Sequence, residues 1–339
     1  MLIFQIYNYL KINLNRYNIN MNIKSDNPSD DIQKARPNLK PNTVKQYEVQ
    51  LRKLQSLFET DTWDFLSDFD SVKEKLSDRH YTTQRNYYNS IIVLLMALNH
   101  DKEYDDLIKE YVKARDSLNE KYVEQQSTGK ISEKQKNNFV DLCEIQKMLS
   151  QMENEIKKER IKKKENITKN DLELLTAYTL FSFLVRLPTR NDMAEMQLIS
   201  KGEFNKLTDP KTNYLVREKS KIFILLTNYK TNKTYGNKLI DIPKDLEKIL
   251  RMYIKLTKTN NGDVVFKNFK GEPINRNAIS QLLIKTSKHY LDKSISSTMM
   301  RKIVLSDKFC DTNKEKKQMA EITGHDVSTM DSVYIKQKD

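Results

Sequence analysis

Residues 300–339, MRKIVLSDKFCDTNKEKKQMAEITGHDVSTMDSVYIKQKD, carry three side chains suited to one chemistry. Arg301 stands on an apolar-periodic segment, Gly324 and His325 follow a helical run, and Tyr334 lies nine residues beyond the histidine. A phenolic oxygen can attack a phosphodiester while arginine and histidine hold the charge that builds on its oxygens. The rest of the chain decides whether this is a site, since one arginine and one histidine are too few for such a reaction.

Composition narrows the partner. The chain has 339 residues and a net charge of +13, enough length for two domains and enough positive charge for a polyanion. An AT-rich coding sequence would also enrich Lys, Asn, Ile and Tyr, which accounts for part of that charge. No apolar run of about 18 residues occurs, so no spanning helix and no membrane partner is expected. The first ten residues are apolar but lack a basic leader and a small-residue cleavage site, so no signal peptide is expected. The chain therefore reads as soluble, in cytoplasm or a host nucleus, and either Met1 or Met21 serves as its start. Two cysteines, Cys143 and Cys310, stand alone and make neither a disulfide framework nor a zinc site. The six glycines form no phosphate-cradling loop, which argues against a nucleotide-binding loop enzyme; no cofactor, no metal and no small-molecule substrate is part of the expectation. Double-stranded DNA is the leading partner.

The fold reads as mainly α, with an N-terminal four-helix bundle and a mixed α/β domain holding a small antiparallel three-stranded sheet. Residues 1–40 show no sustained period and read as a flexible arm. Residues 41–124 carry four amphipathic patterns, starting with Val44, Tyr47, Leu51, Leu54 and Phe58. Residues 125–137, beginning QQSTGKISEKQK, are polar and read as a linker to a domain at 138–339. In that domain helices are expected over 139–156 and 172–187, with a basic run, KKERIKKKE, at 157–165 between them. That run reads as a solvated helix end or as a phosphate contact. Pro188 ends the second helix, and Thr189 or Asn191 is expected to cap another through Leu198. Strands are expected at 214–218, 221–228 and 238–242, the last two joined by a basic turn containing Lys230 and Lys233. Further helices are expected over 243–256, 276–290, 296–306, 314–323 and 328–334.

Phosphodiester cleavage without a metal needs a nucleophile, at least two cations on the non-bridging oxygens, and a proton donor for the leaving oxygen. Arginine suits the second task because its planar fork matches phosphate geometry, and a lysine on a hairpin suits the third. Arg190, Lys230, Arg301, His325 and Tyr334 offer these parts in one chain order. Arg186 competes with Arg190, and Lys233 with Lys230.

That order resembles the tyrosine recombinase, or phage-integrase, family. ITGHDVSTMDSVYIK is similar to the family pattern L-G-H-x-S-x-x-T-T-x-x-Y, with the same His-to-Tyr interval. YKTNKTYGNKLIDIP resembles the turn that carries the catalytic lysine, which puts that role on Lys230. TRNDMAEMQL resembles the first-arginine box with Arg190 aligned, and 42–123 resembles the core-binding domain. The short, basic style is similar to integrases of large DNA viruses and their satellite viruses. Two positions depart from the family. Thr298, in STMMR, stands where a His or Lys usually precedes the second arginine. The first-arginine box lacks its acidic residue three positions on, and Asp192, two positions on, is the substitute for orienting a neighbouring arginine.

The resemblance implies a site-specific recombinase or integrase working as a homotetramer on two DNA sites. Tyr334 would form a 3′-phosphotyrosyl bond, Arg190 and Arg301 would clamp the phosphate, His325 would hydrogen-bond it, and Lys230 would protonate the leaving oxygen. Threonine cannot be a base at neutral pH, which leaves Thr298 a hydrogen-bonding role at most. A type IB topoisomerase-like relaxase, and a DNA-binding protein that kept the fold without cleavage, are the alternatives. His80, His100 and His289 read as structural, with His289 the one candidate for the vacant base position.

Overall fold

A computed structural model describes residues 23–127, 131–323 and 327. The chain divides into two compact units, Met1–Lys130 and Ile131–Asp339. The architecture is mainly helical, with one small sheet.

In the first unit the described helices are α1 (Pro28–Ala35), α2 (Pro41–Phe58), α3 (Phe69–Lys75), α4 (Tyr81–Leu98) and α5 (Asp105–Ser127). Part of the expected arm is thus ordered. Asn27 caps α1 by accepting from Ser29 N at 3.1 Å, and Pro28 starts the helix where its missing N–H costs nothing. Two bonds tie the preceding residues down: Ile23 N to Asp64 Oδ1 at 2.9 Å, and Trp63 Nε1 to Ser25 O at 2.9 Å. The core gathers Leu51, Leu54, Leu66, Tyr88, Ile91 and Tyr111, with Ile23 and Ile32 buried in it. Tyr111 satisfies its buried hydroxyl by donating to Leu66 O at 2.9 Å.

The second unit begins with α6 (Glu133–Lys136) and α7 (Leu142–Lys158) and is built around α8 (Lys169–Arg186). Helix α8 packs against α7 and against α11, α12 and α13, described below. A capping box starts it, Thr168 N donating to Asp171 Oδ2 at 2.8 Å and Asp171 N to Thr168 Oγ1 at 3.2 Å. Leu175, Leu180, Phe181, Phe183 and Leu184 are buried along its length. Two cations of the basic run preceding α8 are occupied structurally, Lys164 with Asp171 at 2.8 Å and Lys157 with Glu153 at 2.9 Å.

The sheet departs from expectation. It has four strands in the order β1 (Gln197–Ser200), β2 (Tyr214–Arg217), β3 (Ile222–Leu226), β4 (Lys238–Asp241), and β1 runs parallel to β2. The helix expected through Leu198 is replaced by a 3₁₀ turn, Asn191–Met193, and then β1. Glu195 takes a left-handed φ of 59°, which breaks any helix there, and pairing with β2 supplies the backbone partners instead. Between β1 and β2 comes the short α9 (Lys201–Phe204), and between β3 and β4 the short α10 (Asn232–Tyr235). Alternation places Leu198, Leu215 and Ile224 in the main core, while Ile199, Val216 and Phe223 form a second cluster under α9.

Helices α11 (Lys244–Leu256), α12 (Arg276–Leu291) and α13 (Ser297–Thr323) complete the unit. Two helices expected at 296–306 and 314–323 are one, because no proline or glycine interrupts them. Met300, Ile303 and Val304 bury the start of α13, so Arg301 is mounted on a helix held in the core.

Candidate active site

The site grows from the turn after α8. Pro188 cannot continue a helix, and Arg190 follows in extended backbone with φ −69° and ψ 177°, its side chain exposed. The next two residues are buried polar groups, Asn191 at 8 % exposure and Asp192 at 4 %. Asn191 Nδ2 donates to Arg276 O at 2.7 Å and Ser280 Oγ at 2.9 Å, which pins the arginine turn to the first turns of α12. Asn275 caps that helix by accepting from Ala278 N at 2.9 Å.

Asn213, just before β2, joins this turn to the lysine hairpin. It is 4 % exposed and uses its whole hydrogen-bonding capacity. Nδ2 donates to Asp192 O at 2.7 Å and Asn228 O at 3.0 Å. Oδ1 accepts from Thr227 N at 2.9 Å and Asn228 N at 2.8 Å. Two residues on, Lys230 extends exposed from a turn whose base is rigid. Tyr229 is buried and donates to Gly236 O at 2.6 Å. Gly236, at φ +65°, takes a backbone conformation that a side chain would strain.

Arg301 arrives from the first turns of α13. Its Nη2 donates to Thr298 Oγ1 at 3.1 Å, so the threonine in the unusual position orients the arginine. Asp192 is where the arginines meet electrostatically. Its carboxyl is pushed up by burial, an effect opposed by Arg276, then Arg190, then Arg301. Arg301 feels the reverse: burial first, and then Arg190, lower its pKa, while Asp192 raises it. Arg276 Nη2 lies 3.3 Å from Asp192 Oδ1 and donates to Asn228 O at 3.1 Å. The ion pair is close yet poorly aligned, since Asp192 Oδ1 makes no hydrogen bond among the described residues.

The structure therefore brings Arg190, Arg301 and Asp192 together, holds Thr298 on Arg301, and sets Lys230 on a hairpin anchored to the same turn. His325 and Tyr334 lie outside the described residues. Arg186, the rival of Arg190, is taken up by Asp245 and by Ser182 O at 2.9 Å. His289 sits in the last turn of α12, on the order of 20 Å along the helix from Arg276 at 1.5 Å per residue, and is remote from this cluster. Asn213 and Arg276 escaped the sequence reading. Neither falls in a motif or a periodic pattern, and only the capping asparagine before Arg276 gives any local signal.

Two guanidinium groups that act on one carboxylate have a fork geometry that also matches the oxygens of an anion. No protein-family model matches the chain, and no curated protein matches it. Among solved structures the chain is similar to XerA recombinase, with a TM-score of 0.35 and 11 % identity over 92 % of this chain and 94 % of that one.

Proposed function

We propose that this chain cleaves and rejoins DNA through a phosphotyrosyl intermediate, as a site-specific recombinase acting on double-stranded DNA. One observation carries the reading: Arg190 and Arg301, far apart in sequence, act on one buried carboxylate beside the anchored hairpin of Lys230. A structural ion pair needs one arginine for one acid, so a convergence of several calls for an anion.

Tyr334 Oη attacks the scissile phosphorus, the bond to the 5′ oxygen breaks, and Lys230 supplies the proton that makes a 5′ hydroxyl. Arg190 and Arg301 hold the non-bridging oxygens, and His325 donates a further hydrogen bond. One ester replaces another, so a 5′ hydroxyl from a partner strand reverses the step without ATP. The phenolic proton passes to solvent water as the bond to phosphorus forms, and the Thr298 hydroxyl holds Arg301. Recombination requires two DNA sites and a homotetramer, and an integrase is the form of the activity that the basic chain suits best.

A nicked suicide duplex tests the reading, because loss of the short 5′ fragment traps the covalent complex. Wild type is expected to give an adduct mapped to Tyr334, and Tyr334→Phe none. An adduct persisting in that variant removes the nucleophile assignment. Thr298 in place of a base favours a second reading, a DNA-binding protein without cleavage, and that reading predicts no adduct from the wild type.

A further inference from the structure

Resting on the strand-cleaving reading, we propose that Arg276 is a third cation of the site and donates to a backbone phosphate of the bound DNA. Three observations lead there.

The first is position. The side chain of Arg276 reaches both halves of the site at once, Asn228 O at the base of the lysine hairpin and Asp192 in the arginine turn. Its own carbonyl accepts from Asn191. Arg276 therefore lies between Arg190 and the strand end that leads to Lys230.

The second is spare capacity. A guanidinium has five N–H donors, and the described contacts of Arg276 use only Nη2. The side chain is 51 % exposed, so the remaining edge of the fork faces solvent. A purely structural arginine in a buried pair would be enclosed and aligned. This one is half-open, and its pair with Asp192 is misaligned.

The third is charge. Arg190, Arg276 and Arg301 carry three positive charges, and the acid they share, Asp192, supplies one negative charge when ionised, leaving two in excess. Among the described residues no other acid acts on Arg301. A phosphodiester undergoing in-line attack passes from one negative charge toward two, and two excess cationic charges match that demand.

The test combines salt dependence with neutral phosphates. Each phosphate contact contributes about 0.9 to the slope of log K against log salt concentration on duplex DNA. Arg276→Gln is expected to reduce the slope by about that amount and to weaken binding roughly ten- to hundredfold. Arg276→Lys, which keeps the charge, is expected to restore the slope while forming adduct more slowly for want of the fork. Should the Gln variant fail to fold, the Lys variant and the wild type still bear on the point through methylphosphonates placed singly along the strand. One such position should lower the wild-type slope and erase the gap in adduct rate between wild type and the Lys variant. If that position is the scissile one, Arg276 acts on the reacting phosphate; if it is a neighbour, on the flanking backbone. An unchanged slope in Arg276→Gln, with no methylphosphonate position that closes the gap, overturns the proposal. Wild-type chain that binds duplex but traps no adduct overturns strand cleavage instead, and the slope still decides for Arg276. Chain that binds no DNA overturns both.

Discussion

Asn213→Ala is expected to loosen the second unit while leaving the first untouched. The side chain makes four hydrogen bonds of 2.7 to 3.0 Å, all to backbone groups of the arginine turn and of the segment leading to the lysine hairpin. Two of them are fully buried and two partly so, which means that truncation leaves two groups unpaired out of water and two with some access to it. At about 1 kcal/mol net per bond, and more where the partner is stranded, the loss comes to about 4 kcal/mol. For a unit of this size that lowers the melting temperature by roughly 8–16 °C.

The assay separates the two units cleanly. The chain has one tryptophan, Trp63, buried at 2 % exposure in the first unit, so its fluorescence follows that unit alone. Far-UV circular dichroism follows both. In urea the variant's fluorescence transition is expected to stay put while the dichroism transition of the second unit moves down. Asn213→Asp sharpens the argument. The introduced carboxyl keeps an oxygen toward Thr227 N and Asn228 N but turns another toward the carbonyl oxygens of Asp192 and Asn228. Its charged form is disfavoured in the fold, so its folded pKa rises above about 3.9. While protonated in both states such a carboxyl restores one of the two lost donors, and stability falls as pH rises through that range. The Asp variant should therefore approach wild type near pH 4 and depart from it near pH 8. A loss under about 1 kcal/mol in the Ala variant, or an equal shift in Trp63 fluorescence, refutes the joint described here.

Two further outcomes follow from named contacts. Arg190→Gln is expected to slow adduct formation by at least about a hundredfold, the usual effect of removing a donor aimed at developing charge. Arg186→Gln should leave the rate alone and cost at most about 1 kcal/mol, because its pair with Asp245 is partly exposed; a reversed ranking would move the first clamp to Arg186. Tyr253, pushed up to about 12 by burial, stays neutral in the fold after an unfolded tyrosine has begun to ionise near pH 10. Stability should thus fall between pH 10 and about 12, by about 2–3 kcal/mol from this group. Tyr253→Phe loses the 3.1 Å bond to Thr176 at neutral pH but also escapes that alkaline loss, so the gap in urea midpoints should narrow as pH rises. A gap independent of pH would place the phenol in contact with solvent.

Much of this molecule was legible because its signals are local. The apolar run at 172–187 announced α8, and residues 214–218, 221–228 and 238–242 read as strands through their β-branched and aromatic side chains. What escaped depends on partners far along the chain. Residues 23–35 have too few apolar positions for a period, yet Trp63 and Asp64 hold their start in place. AEMQLI at 194–199 suits a helix by composition, and the parallel ladder to β2 on one edge with backbone bonds to residues 262–265 on the other makes it a strand. The same division runs through the site. Arg190, Lys230 and Arg301 sit in patterns that a reader can recognise, whereas Asn213 and Arg276 matter through bonds that close only in the folded chain.

That division has a physical origin in the charge of the site. Arginines that must contact an anion repel one another while it is absent, and burial adds to the penalty on Arg301. A chain that brings them together needs neutral, well-satisfied groups to fix the backbone, since each further buried charge would bring its own desolvation cost. Asn213 meets that need in full; Asn191 also reaches across segments without adding charge, through Nδ2, while its buried Oδ1 has no hydrogen-bond partner among the described residues. Among the described residues Asp192 is the one acid acting on these arginines, enough to temper the repulsion and too little to cancel it. A second carboxylate would stabilise the empty site and weaken its hold on phosphate. The carboxylate at Asp192 thus acts on Arg190, Arg276 and Arg301 together, limiting their mutual repulsion without a second buried charge.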